Sequence, residues 1–147
     1  MGLHMDTSYS DPNWRWGGMH SLVRAADTIG PQFRAALKAS APIGDPLNDL
    51  TPGRLQRSIR YARYVQGNVL RMEFTAHTPY AGMVISGTAP HIIRPRAARA
   101  LRWNTPAGPH FATVVHHPGT DPNPFPHRAL HALKTTIVHE FALQLGA

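Results

Sequence analysis

Ten histidines are the side chains in this sequence best suited to chemistry at neutral pH, because imidazole can transfer protons and bind metal ions. His127 and His131 lie four residues apart, a spacing that would place both on one helix face. The acids nearest to them are Asp121 and Glu140, and His139 has no second histidine four residues later to complete a metalloprotease pattern. The pattern favours structural or interfacial histidines. A histidine-dependent metalloenzyme is the less favoured alternative.

Hydroxyl nucleophiles and phosphate-binding loops are not indicated either. Ser58 and Ser86 lack the Gly-x-Ser-x-Gly setting of a nucleophile elbow. Gly82 and Gly87 lack the spacing of a phosphate-binding loop. The chain has no cysteine, which excludes disulfides, thiolate zinc sites and thiol nucleophiles. We therefore predict no enzyme, and no catalytic, cofactor-binding or metal residues.

Arginine offers a second kind of chemistry, the binding of anions. Two groups stand out, a row of Arg54, Arg57, Arg60 and Arg63, and a cluster of Arg94, Arg96, Arg99 and Arg102. Arginine binds phosphate in a bidentate manner, and a net charge of +7 favours an anionic partner. A solvated face, or ion pairs with a neighbouring subunit, would explain the same residues. A solvated face or pairing with a neighbouring subunit is the favoured interpretation, and contact of the cluster with DNA or an acidic partner is the functional hypothesis.

Apolar periodicity predicts the first elements that would position these groups. From Met19 to Leu37 apolar residues recur at helical spacing, with a kink or break expected at Gly30-Pro31. Thr51 is expected to cap a short second helix with Pro52 at its first position. Two strands, 61–66 and 69–76, are predicted to form a hairpin around Gly67-Asn68.

The second half of the chain predicts shorter elements. A helical turn from Tyr80 should end at Gly87. Strands are expected around 91–94, 100–103 and 110–116, with 95–99 as a basic hairpin tip. Asn123 is expected to cap a last helix with Pro124 at its first position. That helix should bury Leu130, Leu133, Ile137, Phe141 and Leu145.

Together these elements predict an α+β fold. We expect a small, mostly antiparallel sheet packed against a long N-terminal helix and a C-terminal helix, with extended loops. Residues 1–18 are interpreted as an N-terminal arm and residues 19–147 as a single domain. Two roles fit Trp14 and Trp16 on that arm: docking on a partner, or covering the domain's own core.

No apolar run approaches the ~20 residues needed to cross a bilayer. The N-terminus also lacks a basic flank followed by an apolar core. We therefore expect a soluble protein made in the cytoplasm.

Short motifs between Ala41 and Leu130 resemble, in order and spacing, those of the neck proteins of long-tailed bacteriophages (siphophages). These are called tail-completion, head-tail joining or minor tail component proteins. The matching residues are Ala41-Pro42, Gly53-Arg54-Leu55, Ser58-Ile59, Pro79-Tyr80-Ala81, Gly87-Thr88, Pro90-His91, Pro118-Gly119-Thr120, Asn123-Pro124-Phe125 and Ala129-Leu130.

The resemblance implies a structural virion protein without catalytic activity. It would form a ring, a hexamer or alternatively a dodecamer, that joins the portal-bound connector of the DNA-filled head to the tail tube. Expected partners are a connector or stopper protein, a tail terminator or tail tube, and genomic DNA in the bore, with no membrane. The protein would be made in the host bacterial cytoplasm and located in the virion neck. A basic nucleic-acid-binding module is the alternative function.

The predicted contact residues follow from these considerations. Those expected at subunit or partner interfaces are Trp14, Trp16, Tyr80, Gly87, Thr88, His91, Pro118, Gly119, Thr120 and Phe125. The turns at Gly87-Thr88 and 118–120 are predicted to be rigid. They would hold the neighbouring elements in a shape that another subunit recognises.

Overall fold

The computed structural model describes residues 2–8 and 16–145. The elements in that part are β1 (Gly2–Ser8), α1 (Trp16–Ser40), α2 (Arg54–Ser58), β2 (Ile59–Gln66), β3 (Val69–Ala76), α3 (Ala81–Ser86), β4 (His91–Ile93), β5 (Leu101–Thr105), β6 (Gly108–Ala112), β7 (Val115–His117) and α4 (Phe125–Leu145). Long helices near both ends combined with small antiparallel sheets confirm the predicted α+β class.

The core lies between α1 and the sheet of β1, β3 and β2. Helix α1 buries residues at helical spacing, namely Leu22, Ala26, Ile29, Phe33 and Leu37. Phe33 meets the edge of Phe74 on β3 at a ring-centroid distance of 4.8 Å, and Tyr61 on β2 stacks on the same ring at 5.0 Å. Aromatic pairs in these arrangements add stability beyond the area they bury.

Helix α1 continues through Pro31, so the predicted break is wrong. Pro31 is exposed, whereas Ile29 before it and Phe33 after it are buried. A proline inside a helix costs about 3 kcal/mol, and burying two such side chains contributes about 1.5–3 kcal/mol each. Packing on both sides therefore outweighs the local preference for a break.

The three-stranded sheet has the order β1-β3-β2, and its central hairpin confirms the prediction. Gln66 pairs with Val69 across the turn, where Gly67 has a φ of 57°. Burial alternates along β3, since Leu70, Met72 and Phe74 are buried and Arg71 is exposed.

The predicted arm, 1–18, contains two elements that the sequence analysis did not expect. Strand β1 pairs with β3 from Gly2 opposite Thr75 to Ser8 opposite Val69, and α1 begins at Trp16. Trp14 and the side chain of Trp16 lie outside the described part of the chain.

The short helix α2 begins later than predicted. It starts at Arg54, after Gly53 in the left-handed conformation with a φ of 73°. Thr51 and Pro52 therefore lie in the preceding turn, and Thr51 is not the cap. The helix ends at Ser58, so Arg60 belongs to β2 and the arginine row does not form one helical face. Helix α3 ends at Gly87 as predicted.

The strands in the second half of the chain form two separate two-stranded sheets, whereas the sequence predicted that they would belong to one sheet. Strand β4 pairs with β7, and β5 pairs with β6. The predicted strand 110–116 is thus divided between β6 and β7. The prediction of a hairpin tip at 95–99 is wrong, because this segment joins strands of different sheets. The tip between β5 and β6 is at Pro106-Ala107, where Gly108 has a φ of 122°.

Helix α4 packs on α1 mainly through its first turns. Phe125, Pro126 and Ala129 are buried, whereas Leu130, Leu133, Ile137 and Phe141 are half-buried. Leu145 is exposed, contrary to the prediction. The Oδ1 atom of Asn123 accepts a hydrogen bond from the Arg128 guanidinium at 2.6 Å. No helix in the described residues is long and apolar enough to span a membrane.

Candidate interaction surface

Two Gly-Thr turns, far apart in sequence, cross each other at the centre of the second half of the chain. The backbone N–H of Thr88 donates to the Thr120 carbonyl at 3.0 Å, and the Thr120 N–H donates to the Thr88 carbonyl at 3.1 Å. Their hydroxyl oxygens lie 3.0 Å apart. We call Gly87, Thr88, Gly119 and Thr120 the Gly-Thr crossing. It brings together four of the residues predicted to form an interface.

Both glycines of the crossing are required by close backbone approach. A Cβ atom on Gly87 would clash with the Thr120 carbonyl oxygen, and one on Gly119 would clash with the Thr88 carbonyl oxygen. Their φ angles, 73° and 92°, also belong to the region that favours glycine. Glycine is therefore required at both positions of the crossing.

Two histidines extend the crossing along the β4–β7 pair. The rings of His91 and His117 stack with centroids 4.9 Å apart. The Nδ1 atom of His91 lies 2.9 Å from the Ala89 carbonyl oxygen, which can only accept, so this nitrogen carries the proton. The Nδ1 atom of His117 instead accepts from the Gly119 N–H at 3.0 Å. Both rings thus help to fix the turns.

His91 was among the predicted interface residues, whereas His117 was not. A signal was present, because Gly-Thr-Ala-Pro-His and His-Pro-Gly-Thr are nearly reversed copies of each other. Antiparallel pairing of two such segments brings Thr88 opposite Thr120 and His91 opposite His117. Pro118 lies within the second copy and is exposed.

The crossing is anchored to the helices on either side. The Asn123 N–H donates to the Val84 carbonyl at 3.0 Å and so links the loop before α4 to α3. Tyr80, before α3, is half-buried against the core. Phe125 is 2% exposed and belongs to the chain's own core, so its side chain is not accessible to a partner in this conformation.

The predicted arginine cluster lies on and beside the segment 94–100, which connects the two small sheets. Arg94, Arg96, Arg99 and Arg102 are all exposed. Within the described residues their side chains make no hydrogen bond or ion pair. Arg63 differs, since its guanidinium donates twice to the Asp27 carboxylate, at 2.6 and 3.2 Å.

A pair of asparagines attaches the β5–β6 hairpin to the loop 42–53. The Asn104 N–H donates to Asn48 Oδ1 at 2.7 Å, and Asn48 Nδ2 donates to the Asn104 carbonyl at 3.1 Å. The loop itself is closed by Asp45, whose carboxylate accepts from the Leu47 N–H and from the Asn48 amide. These two bonds lower the pKa of Asp45. The asparagine pair was not predicted, since a single asparagine carries no signal of a distant partner.

Large apolar side chains are exposed on the elements that the crossing and the asparagine pair hold in place. On the loop, Ile43 is 57% exposed and Leu50 is 98% exposed. On the small sheets, Ile92 is 52% exposed and Phe111 is 64% exposed.

Among residues 2–8 and 16–145, no group of three or more histidine, cysteine or acidic side chains could hold a metal ion. As a class, the molecule is an α+β protein with a helix-on-sheet core. A second part, residues 88–120, contains the two small sheets and carries exposed arginine and apolar side chains; we call it the lobe. Comparison with protein-family models, curated proteins and solved structures finds no match.

Proposed function

We propose that this protein is a structural subunit of a homo-oligomeric ring in the neck of a tailed bacteriophage. The observation that carries the proposal is the exposure of large apolar side chains on loops whose shape is fixed by specific hydrogen bonds. Leu50, at 98% exposed, is the clearest case. An isolated chain gains nothing from this exposure, whereas burial in an interface would contribute about 25 cal/mol per Å².

The total surface supports an assembling subunit. The accessible area is 10241 Å² for a mass of 16.2 kDa. A compact monomer of this mass is expected to have roughly 7,500 Å². The area of the whole chain is thus larger by about a third, as expected of a subunit that buries surface against neighbouring copies.

The distribution of exposed apolar side chains suits a ring. Closed rings use heterologous contacts, in which two different surfaces of each subunit meet. The chain offers two such groups on separate elements, Ile43, Leu47 and Leu50 on the loop, and Ile92 and Phe111 on the small sheets. We propose that the loop of one subunit packs against the small sheets of the next, in a hexamer or dodecamer.

The location in the neck rests on the ordered motifs between Ala41 and Leu130. In this proposal the ring joins the connector of the DNA-filled head to the tail tube as a head-tail joining or tail-completion protein. A connector or stopper protein would bind one side of the ring, and a tail terminator or tail tube the other. The mature protein would be part of the virion, and its role would not be enzymatic.

Ring formation is tested by mass measurement and negative-stain electron microscopy across protein concentrations. We expect closed rings for the natural sequence and at least a tenfold weaker assembly for Leu47→Ser combined with Leu50→Ser, because the apolar contact is lost. The matched control is Val138→Ser with Leu143→Ser, two exposed positions on α4, which should assemble normally. A chain that stays monomeric at high concentration and is missing from purified particles would refute the proposal.

A further inference from the structure

The lobe that contains both small sheets carries charge of one sign along its whole sequence. From Phe74 to Thr120 there is no aspartate or glutamate, whereas the same stretch holds four arginines and five histidines. Asp121 directly follows this stretch, and Glu73 directly precedes it. Asp45 and Asp49 lie in the loop 42–53, and both accept hydrogen bonds within it. A surface of this kind attracts polyanions over distances of about a Debye length.

The arginines of this lobe are available to a ligand. Arg94, Arg96 and Arg99 are exposed and form no hydrogen bond or ion pair within the described part of the chain. The residues between them are Pro95, Ala97 and Ala98. None of these is long enough to screen a guanidinium or to compete with a ligand for it. The segment therefore presents several charged donors side by side.

The composition of the segment distinguishes between two kinds of anionic partner. Protein interfaces combine charged groups with an apolar centre that fixes the register. The exposed apolar side chains Ile92 and Phe111 lie outside 94–100, which itself contains only arginine, proline and alanine. A phosphate backbone needs no such centre, because charge neutralisation and ion release supply most of the affinity. Nucleic acid is thus the better match.

The neighbouring aromatic side chains favour a duplex over a single strand. Single-strand binding relies on aromatic faces on which bases stack. Trp103 is half-buried and is already stacked on His110, at a centroid distance of 5.8 Å. Phe111, which pairs with Arg102 in the β5–β6 hairpin, has an exposed ring. One ring does not provide the series of stacking faces that single-strand binding uses.

We propose that the segment 94–102 is a sequence-independent binding surface for the phosphate backbone of double-stranded DNA, with one phosphate contact for each of Arg94, Arg96, Arg99 and Arg102. This goes beyond ring assembly, since one subunit suffices for binding. The surface makes duplex binding strongly dependent on salt and insensitive to base sequence.

The test measures fluorescence anisotropy of a labelled 30-base-pair duplex of mixed sequence with the full chain. With four phosphate contacts and a slope of about −0.9 per contact, affinity should fall roughly 150-fold between 50 and 200 mM salt. Changing Arg94, Arg96 and Arg99 to glutamine should reduce this fall to roughly 3-fold. A second duplex of unrelated sequence should bind equally well.

The matched control changes Arg24, Arg34 and Arg54 to glutamine. These arginines are also exposed and unbonded within the described residues, and their loss changes the net charge equally. The control should keep the steep salt dependence. An equal loss in both triple variants would overturn the proposal in favour of a general charge effect. All six positions are exposed, so we expect both variants to fold, and circular dichroism checks this.

Two further measurements distinguish the remaining outcomes. Polyglutamate of matched charge should compete poorly with the duplex; equal competition would assign the segment to an acidic protein and contradict the proposal. The measurement is repeated with the Leu47→Ser, Leu50→Ser variant below its assembly concentration. Retained binding there supports the DNA surface even if no ring forms, whereas no duplex binding at 50 mM salt refutes it whether or not rings form.

Discussion

At the scale of single residues, the Gly-Thr crossing shows how few positions determine the shape of the second half of the chain. Gly87 and Gly119 each lie where any side chain would meet the carbonyl oxygen of the opposite turn. The exchange of hydrogen bonds between Thr88 and Thr120 depends on that approach. Replacing either glycine therefore strains the backbone and separates the two turns.

We expect Gly119→Ala to lower the free energy of unfolding by about 2–4 kcal/mol, combining left-handed strain with a backbone clash. Gly67→Ala is the control. Gly67 also has a positive φ, but a Cβ there meets nothing within 4 Å, so the loss should be about 1 kcal/mol. Urea unfolding measures both. Equal losses for the two variants would show that close approach at the crossing contributes nothing.

At the scale of elements, Tyr61 links β2 to α1 as well as packing in the core. Its hydroxyl donates to the Ala26 carbonyl at 2.9 Å, and its ring fills the space beside Gly30. Burial raises the pKa of Tyr61, and the Asp27 carboxylate adds to this effect, while Arg63 partly opposes it. The phenolate is therefore less stable in the folded chain than in the unfolded chain.

The sign of the pH dependence follows from the raised pKa of Tyr61. Its contribution to stability is fully present below the ordinary tyrosine pKa of about 10 and is lost as pH rises through the higher pKa of the folded state. As pH rises from 9 to 11, the free energy of unfolding of Tyr61→Phe should therefore fall less than that of the natural chain. Tyr64→Phe, at a position 53% exposed, should retain the natural pH profile. Urea unfolding at each pH gives the comparison, and identical slopes for Tyr61→Phe and the natural chain would contradict the argument.

At the scale of the whole molecule, a compact helix-on-sheet core is joined to a lobe held by a few specific hydrogen bonds. The lobe is held by hydrogen bonds at the crossing and between Asn48 and Asn104. The apolar side chains of the lobe and the loop remain exposed, with Leu50 the most exposed. The stability of the chain should therefore depend on whether its neighbours are present.

A ring-forming chain should unfold at a temperature that rises with protein concentration, because association stabilises only the folded state. A tenfold increase corresponds to about 1.4 kcal/mol, or roughly 3–5 °C for a chain of this length. Differential scanning calorimetry over a hundredfold concentration range measures the shift. The Leu47→Ser, Leu50→Ser variant should lose the shift, and a natural chain whose midpoint is independent of concentration would count against assembly.

Local sequence signals predicted the apolar stripe of α1, though not its continuation through Pro31, and they predicted the β2–β3 hairpin and the stop of α3 at Gly87. Each of these depends on contacts between residues close in sequence. The pairing of β4 with β7, the reciprocal fit of the two Gly-Thr turns and the bond between Asn48 and Asn104 were decided only in the tertiary structure. Residue spacing reports which face a side chain occupies but not which distant strand completes its hydrogen bonds, and for short strands that choice depends on the packing of the whole chain.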